Sequence, residues 1–202
     1  MTDTRTPALK KIRDEVLHLT ASPLYKERIK NKTFPVIGEG SHRAKIMFIG
    51  EAPGRNEAKT GRPFCGAAGK VLDELLRSAK IDRASVYITN IIKDRPPFNR
   101  DPTPKELALY APFLDRQIAI IRPKIIVTLG RFSMRYIMEK YGLEKQCGPI
   151  GALHGKTFET SLPYGKVLIN VQYHPAVAVY DARQIAALKK DFATLTRAAK
   201  SL

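Results

Sequence analysis

The sequence predicts an α/β fold, a three-layer α/β/α sandwich with a central four-stranded, mainly parallel sheet. Four short apolar runs rich in β-branched residues predict its strands, at 45–49, 86–89, 125–129 and 167–171. Runs that are apolar throughout, rather than alternating with polar residues, are typical of parallel strands buried on both faces. Helical patterns separate the runs, and this alternation of strand and helix places helices on both faces of the sheet.

The helices are predicted from the spacing of apolar residues and from capping signals. Apolar residues within 68–79 recur at the three- and four-residue spacing of one helix face. Thr103-Pro104-Lys105-Glu106 has the cap, the first-turn proline and the backward-reaching glutamate of a helix start, so a helix is predicted from there to about Ile121. Three further helices are expected, near Leu9–Leu19, after Gly130 and from about Asp181.

Length and composition fit one domain over residues 1–202, in which residues 1–40 form an N-terminal helix and an irregular arm. Cys65 and Cys147 are too few for a disulfide framework, and no cysteine–histidine cluster has the spacing of a metal site. No apolar run approaches the ~18 residues of a membrane helix, and the N-terminus lacks the apolar stretch of a signal peptide. We therefore expect a cytoplasmic protein with no membrane association.

The charge of the chain indicates the class of its partner. Lysine and arginine number 35 against 19 aspartate and glutamate residues, a formal net charge of +16. An excess of this size favours a nucleic-acid partner over a merely solvated basic surface. Charge alone names no reaction.

Polar residues follow the predicted strands at the edge of the sheet where ligands bind in such folds. Gly50-Glu51-Ala52-Pro53-Gly54 follows the first strand, Asn90 the second and His174-Pro175 the fourth. The loop 50–61 is no phosphate cradle, because Ala58 stands where a P-loop needs glycine before its lysine. With Phe64, these segments supply an aromatic ring, an amide and an imidazole, which is what holding an extruded nucleobase requires.

Six blocks together resemble a known family: GEAPG at 50–54, GRPF at 61–64, YITN at 87–90, RPPFNRDPTPKE at 95–106, IRPKIIVTLG at 121–130 and HPA at 174–176. Their order and spacing are similar to those of family 4 of the uracil-DNA glycosylase superfamily, over about residues 19–198. The resemblance implies a monofunctional enzyme that flips uracil out of double- or single-stranded DNA and hydrolyses its N-glycosidic bond, initiating base excision repair. A monomer is expected.

The resemblance also implies roles for the polar residues. Asn90 would face the Watson–Crick edge of uracil, donating to O4 and accepting from N3–H, so that cytosine is rejected. His174 would donate to uracil O2, where the negative charge of the leaving group collects. Phe64 would stack on the base, and Glu57 would lie near C5 and help to exclude the methyl group of thymine.

The GEAPG block would line the same pocket. Gly50 and Ala52 are expected beside the base, and Glu51 is expected to orient water or to contact the base. Some members of the superfamily carry a water-activating aspartate where Ala52 stands, so this chain has no obvious general base there. A dissociative reaction tolerates this, because an oxocarbenium ion needs only a weak nucleophile.

Two loops are expected to contact DNA. The basic, proline-rich loop after the second strand is a candidate phosphate clamp; its polar residues are Lys93, Arg95, Asn99 and Arg100. The loop after His174, with Val177 and Val179, is a candidate wedge for the base stack. Many members of the family have arginine where Tyr180 stands, so a different wedge is expected here.

The chain departs from the family at one site. Known members bind an iron–sulfur cluster through four cysteines, and the matching positions here are Leu19, Ser22, Asp94 and Tyr110. None can replace a thiolate, so no metal and no cofactor are expected. Packing of Leu19 on Tyr110, and an ion pair between Asp94 and Lys26, Arg28 or Lys30, are the expected substitutes.

The sequence bears on three other functions. A suicidal DNA crosslinker is not favoured, because residues 91–106 contain no basic, histidine-bearing insertion. A glycosylase for hypoxanthine or xanthine stays open, as does a DNA-binding relative without activity.

Overall fold

The computed structural model describes residues 3–200, which contain one six-stranded sheet with the strand order β1-β3-β2-β4-β6-β5. The strands are β1 (Glu39–Gly40), β2 (Ile46–Gly50), β3 (Tyr87–Asn90), β4 (Ile125–Leu129), β5 (Thr157–Leu162) and β6 (Gly165–Gln172). The four predicted runs form the central strands β3, β2, β4 and β6, which are mutually parallel as expected. The predicted four-stranded sheet omitted the two-residue strand β1 and the six-residue strand β5, which pair antiparallel at its two edges.

The strand β5 was missed for a physical reason. Its sequence, TFETSL, contains only two apolar residues, and exposed side chains alternate along it with half-buried or buried ones. That pattern is typical of an antiparallel strand with one face in water, whereas the prediction rested on runs that are apolar throughout.

Nine helices surround the sheet within residues 3–200. They are α1 (Arg5–Leu17), α2 (Pro23–Lys30), α3 (Arg55–Thr60), α4 (Ala67–Ser78), α5 (Pro104–Ile121), α6 (Arg131–Lys140), α7 (Ile150–Leu153), α8 (Ala176–Tyr180) and α9 (Ile185–Lys200). None of the helices in this part of the chain is both long enough and apolar enough to cross a membrane.

The helix predicted from Thr103 is confirmed. The Thr103 hydroxyl accepts from the backbone N–H of Glu106 at 3.2 Å, and the Glu106 carboxylate accepts from the N–H of Thr103 at 2.8 Å. This reciprocal pair satisfies two N–H groups that the first helical turn leaves free. Helix α5 ends at Ile121, as expected.

Two helix predictions were wrong in detail. The irregular arm within residues 1–40 contains helix α2, whose N-terminus is capped by Ser22 accepting from the N–H of Leu24 at 3.1 Å. The last helix begins at Ile185 rather than near Asp181, because the Asp181 carboxylate caps a separate 3₁₀ turn at 182–184.

Two apolar clusters lie on opposite faces of the sheet, because neighbouring residues of a strand point to opposite faces. Met47 and Ile49 face the cluster that includes α1, α5 and α6. Phe48 faces the cluster that includes α4 and α9, and its ring stacks on Phe192 with 6.0 Å between centroids. The fold is therefore the predicted three-layer sandwich, and the carboxyl ends of β2, β3, β4 and β6 share one edge.

Candidate active site

A cavity of about 280 Å³ lies at this edge of the sheet. It brings together side chains that are more than 120 positions apart in the sequence, from Glu51 to His174. Eight of the predicted site residues line it, namely Glu51, Ala52, Glu57, Phe64, Asn90, Asn99, Arg100 and His174.

Asn90 ends strand β3, where it is paired in register with Gly50 of β2. Its side chain is buried, and within residues 3–200 its Oδ1 atom has no hydrogen-bond partner. A buried acceptor without a partner costs about 1–3 kcal/mol. The Asn90 amide therefore lies in the cavity wall with one acceptor that no other group of residues 3–200 satisfies.

Gly50 leaves the room that this amide needs. A Cβ atom at Gly50 would lie 2.4 Å from Asn90 Oδ1 and 2.7 Å from Cζ of Phe64. Both distances are far inside van der Waals contact, so any side chain here would displace the amide or the ring. Gly50 therefore makes room for the Asn90 and Phe64 side chains that line the cavity, but it does not line the cavity itself.

Phe64 and His174 form an aromatic wall. Their rings lie 5.6 Å apart between centroids with an interplanar angle of 32°. The backbone of Phe64 is left-handed, with φ of 48°, a conformation unfavourable for a residue with a side chain. It is kept by close packing, since the Phe64 carbonyl oxygen would lie 1.9 Å from a Cβ atom at Gly69.

The His174 imidazole is held as a neutral donor. Its Nδ1 atom accepts from the backbone N–H of Ala176 at 3.1 Å, which assigns the ring proton to Nε2. Burial lowers the pKa of His174 to about 4, with Glu57 opposing that shift. At neutral pH this side chain can therefore donate one hydrogen bond from Nε2 while carrying no charge.

The two carboxylates of the cavity, Glu51 and Glu57, lie in different surroundings. Glu57 Oε1 accepts from the N–H groups of Cys65 and Gly66, at 3.0 and 2.8 Å, so its side chain is fixed at the start of α4. Burial is the main cause that raises the pKa of Glu51 to about 7; the charge of Asp101 adds to this shift, and the charge of Arg131 opposes it. Glu51 therefore changes charge in the physiological range, which suits a group that takes up a proton. The sequence carried no signal for the influence of Asp101 and Arg131.

The prediction that Lys93 clamps DNA phosphates was wrong. Its side chain is fully buried, and its Nζ atom donates to the Asn90 carbonyl oxygen and to Gln117 Oε1, both at 2.6 Å. It also donates to Thr89 Oγ1 at 2.8 Å, and burial lowers the pKa of Lys93 well below its ordinary value. Lys93 therefore holds the backbone behind Asn90 and cannot reach DNA.

Of the other predicted DNA contacts, Asn99 and Arg100 line the cavity, whereas Arg95, Val177 and Val179 do not. Arg100 lines the cavity while forming a bidentate ion pair with Glu106 at 2.7 and 2.9 Å. Arg95 Nε donates to Asn99 Oδ1 at 2.7 Å. Val179 is exposed, whereas Val177 packs against the second core cluster, which leaves it little freedom to enter a base stack.

The four positions matching the cluster cysteines are occupied by a polar network and an apolar contact. The Tyr110 hydroxyl lies 2.6 Å from Asp94 Oδ2 and 2.9 Å from Ser22 Oγ. Arg28 Nη1 donates to both Asp94 oxygens, at 3.0 and 3.1 Å, and this ion pair is buried. Leu19 packs against the first core cluster, to which Tyr110 belongs.

These residues do not fit an iron–sulfur cluster. The four positions supply no thiolate, and the Asp94 carboxylate is engaged by the Arg28 guanidinium group and the Tyr110 hydroxyl. Residues 3–200 contain no group of three histidine, cysteine, aspartate or glutamate side chains that could hold a metal ion. The expected ion pair with Asp94 is confirmed for Arg28, and both side chains are buried.

Comparison with known proteins places these features in a family. The family model described as "Uracil DNA glycosylase superfamily" matches residues 37–200. The Type-4 uracil-DNA glycosylase of Sulfurisphaera tokodaii is 44% identical over 186 residues, 92% of this chain and 82% of the relative. The Type-4 uracil-DNA glycosylase of Saccharolobus solfataricus is 43% identical over 191 residues, which cover 94% of this chain and 86% of the relative. That of Archaeoglobus fulgidus is 45% identical over 163 residues, 81% of each chain. The chain therefore belongs to the uracil DNA glycosylase superfamily.

Proposed function

We propose that the chain is a monofunctional uracil-DNA glycosylase, which hydrolyses the N-glycosidic bond of deoxyuridine in DNA and leaves an abasic site. The observation that carries this proposal is the buried Asn90 amide: Asn90 lines the cavity, and its Oδ1 atom has no hydrogen-bond partner within residues 3–200. Extruded bases are read by hydrogen bonds to their Watson–Crick edge and by stacking on apolar side chains. Asn90 and Phe64 offer these two contacts in one cavity.

Base selection follows from the polarity of the amide. Uracil presents an N3–H donor to Asn90 Oδ1 and an O4 acceptor to Nδ2. Cytosine presents an acceptor at N3 and a donor at N4, so it opposes like groups at both positions. The Lys93 bond to the Asn90 carbonyl oxygen, at 2.6 Å, supports this role because it holds the backbone that carries the amide.

Bond cleavage is proposed to depend on electrostatic stabilisation of the departing base. As the C1′–N1 bond breaks, uracil leaves as an anion and the sugar becomes an oxocarbenium ion. His174 Nε2–H donates to uracil O2, where the charge collects; one such donor typically contributes ~10²–10³ in rate. Water then adds to C1′ and gives a proton to Glu51, whose pKa of about 7 suits a proton acceptor.

DNA is proposed to bind across the mouth of the cavity through its phosphates, as the net charge of +16 favours. Arg95, Asn99 and Arg100 would contact the backbone, and Val179 and Tyr180 would lie against the base stack. One continuous sheet with two cores supports a single domain over residues 1–202. We expect a monomer acting in the cytoplasm, which size-exclusion chromatography and cell fractionation test.

The proposal is tested by incubating the purified chain with a uracil-containing oligonucleotide. We expect release of free uracil and a strand that breaks only after alkali treatment. Asn90→Ala should reduce single-turnover excision at least ~10²-fold, since both base-edge contacts are lost. Strand cleavage before alkali would contradict the monofunctional reaction. Release of hypoxanthine or xanthine but not uracil would favour the alternative substrate, and no release of any base would favour an inactive DNA-binding relative.

A further inference from the structure

Phe98 is 96% exposed, more than any other large hydrophobic side chain in the described part of the chain. It lies in the proline-rich loop between β3 and α5, between Pro96 and Asn99, and both of these residues line the cavity. An aromatic ring left in water contributes no burial to the folded state. Folding therefore does not account for this side chain.

The backbone conformation at Phe98 is unfavourable for a residue with a large side chain. Phe98 has φ of 56° and the following residue, Asn99, has φ of 55°, so two consecutive residues are left-handed. Asparagine tolerates this conformation, but a bulky residue adopts it only when its surroundings impose it. Strained residues of this kind concentrate at functional sites.

The backbone of this loop is constrained on both sides of Phe98. Pro96 and Pro97 restrict the backbone before it, and the N–H of Asn99 donates to the Pro96 carbonyl oxygen at 3.1 Å. After it, Arg100 is tied to α5 through its bidentate pair with Glu106. A loop whose backbone is fixed in advance loses less conformational entropy when it binds.

We propose that Phe98 stacks within DNA, on a base that neighbours the uridine entering the cavity. This inference rests on the proposed function. Extrusion of one nucleotide leaves an unpaired base face beside the gap, and apolar side chains that enter such steps support unstacked DNA. Aromatic stacking is also indifferent to base identity, as a repair enzyme requires. Tyr180, 89% exposed, lines the same cavity from α8, so exposed aromatic rings stand on two of its bordering segments.

The test measures binding to a duplex containing 2′-fluoro-deoxyuridine, a nucleotide whose glycosidic bond resists cleavage. Phe98→Gly and Phe98→Ala should weaken the affinity about tenfold, a typical effect of losing one aromatic–base stack. Phe98→Trp, which keeps a ring, should bind within twofold of wild type. The matched control is Phe34→Ala, since Phe34 is also exposed but lies outside the loop between β3 and α5, whose residues Pro96 and Asn99 line the cavity; the DNA affinity of this variant should equal that of wild type.

Two further measurements separate DNA contact from a structural role. Phe98→Gly should unfold at the same urea concentration as wild type or a higher one, because glycine relieves the left-handed backbone. With 2-aminopurine beside the uridine, wild-type binding should change the fluorescence and Phe98→Gly should reduce that change. Unchanged affinity and fluorescence in Phe98→Gly would overturn the inference. If wild type releases uracil and Phe98→Gly behaves like it, only this inference fails; if wild type releases no uracil, the proposed function fails.

Discussion

The buried pair between Arg28 and Asp94 allows a stringent test of how the chain is held together without cluster ligands. The guanidinium group is only 4% exposed, and it binds both Asp94 oxygens together with the carbonyl oxygens of Val16 and Leu17. The pair therefore joins the end of α1, helix α2 and the loop that follows Asn90. Asp94→Ala removes the anion and leaves the cation buried.

The expected cost is large. Removing one partner of a buried ion pair typically costs about 3–5 kcal/mol. The carbonyl oxygens of Val16 and Leu17 still accept from Arg28, and Ser22 Oγ lies 2.9 Å from the Tyr110 hydroxyl and can accept from it. We therefore expect the lower end, about 3 kcal/mol. For a chain of this size that lowers the Tm by roughly 10 °C, out of a total stability of about 5–15 kcal/mol.

The assay is urea unfolding followed by circular dichroism. Replacing both partners, in Arg28→Met with Asp94→Leu, should recover most of the loss, because no buried charge remains. The control is Glu159→Ala, which breaks the exposed pair with Lys166 and should change the free energy of unfolding by under ~1 kcal/mol. If Asp94→Ala costs no more than this control, the reasoning is refuted. A metal chelator should change neither the unfolding midpoint nor the activity of wild type; a brown preparation with stoichiometric iron would contradict this.

Three further predictions concern the proposed site. His174→Ala should lower the single-turnover excision rate ~10²–10³-fold but weaken DNA affinity much less, because the hydrogen bond from His174 to uracil O2 strengthens as negative charge develops on the base. Equal losses in rate and in affinity would contradict this role of His174. The excision rate should fall about tenfold per pH unit below pH 7, because the Glu51 carboxylate, with a pKa of about 7, becomes protonated there, whereas His174 stays neutral down to about pH 4. The Glu51→Gln variant should excise more slowly, and its rate should change little between pH 5 and 8. If its rate still falls at acidic pH, another group causes that fall. DNA affinity should fall steeply with added salt, and Arg95→Gln should reduce the log–log slope by about 1; an affinity indifferent to salt would exclude phosphate-driven binding.

Local patterns determined a large part of this protein. The four central strands form from mainly apolar runs, and burial on both faces is typical of that composition. The start of α5 is encoded within four residues by its capping box. The carboxyl-end rule of parallel sheets then predicted that Glu51, Asn90 and His174 would converge, and the cavity contains all three.

Tertiary structure decided the features that depend on distant residues. A lysine after a strand looks like a surface cation, but three acceptors, including Gln117 of α5, hold Lys93 inside. The sequence left Lys26, Arg28 and Lys30 as candidate partners of Asp94, and the structure shows that Arg28, 66 positions away, forms the pair. The raised pKa of Glu51 likewise depends on burial and on Asp101, 50 positions away. Burial and through-space charge are set by residues remote in the sequence, so these properties arise only when the chain has folded.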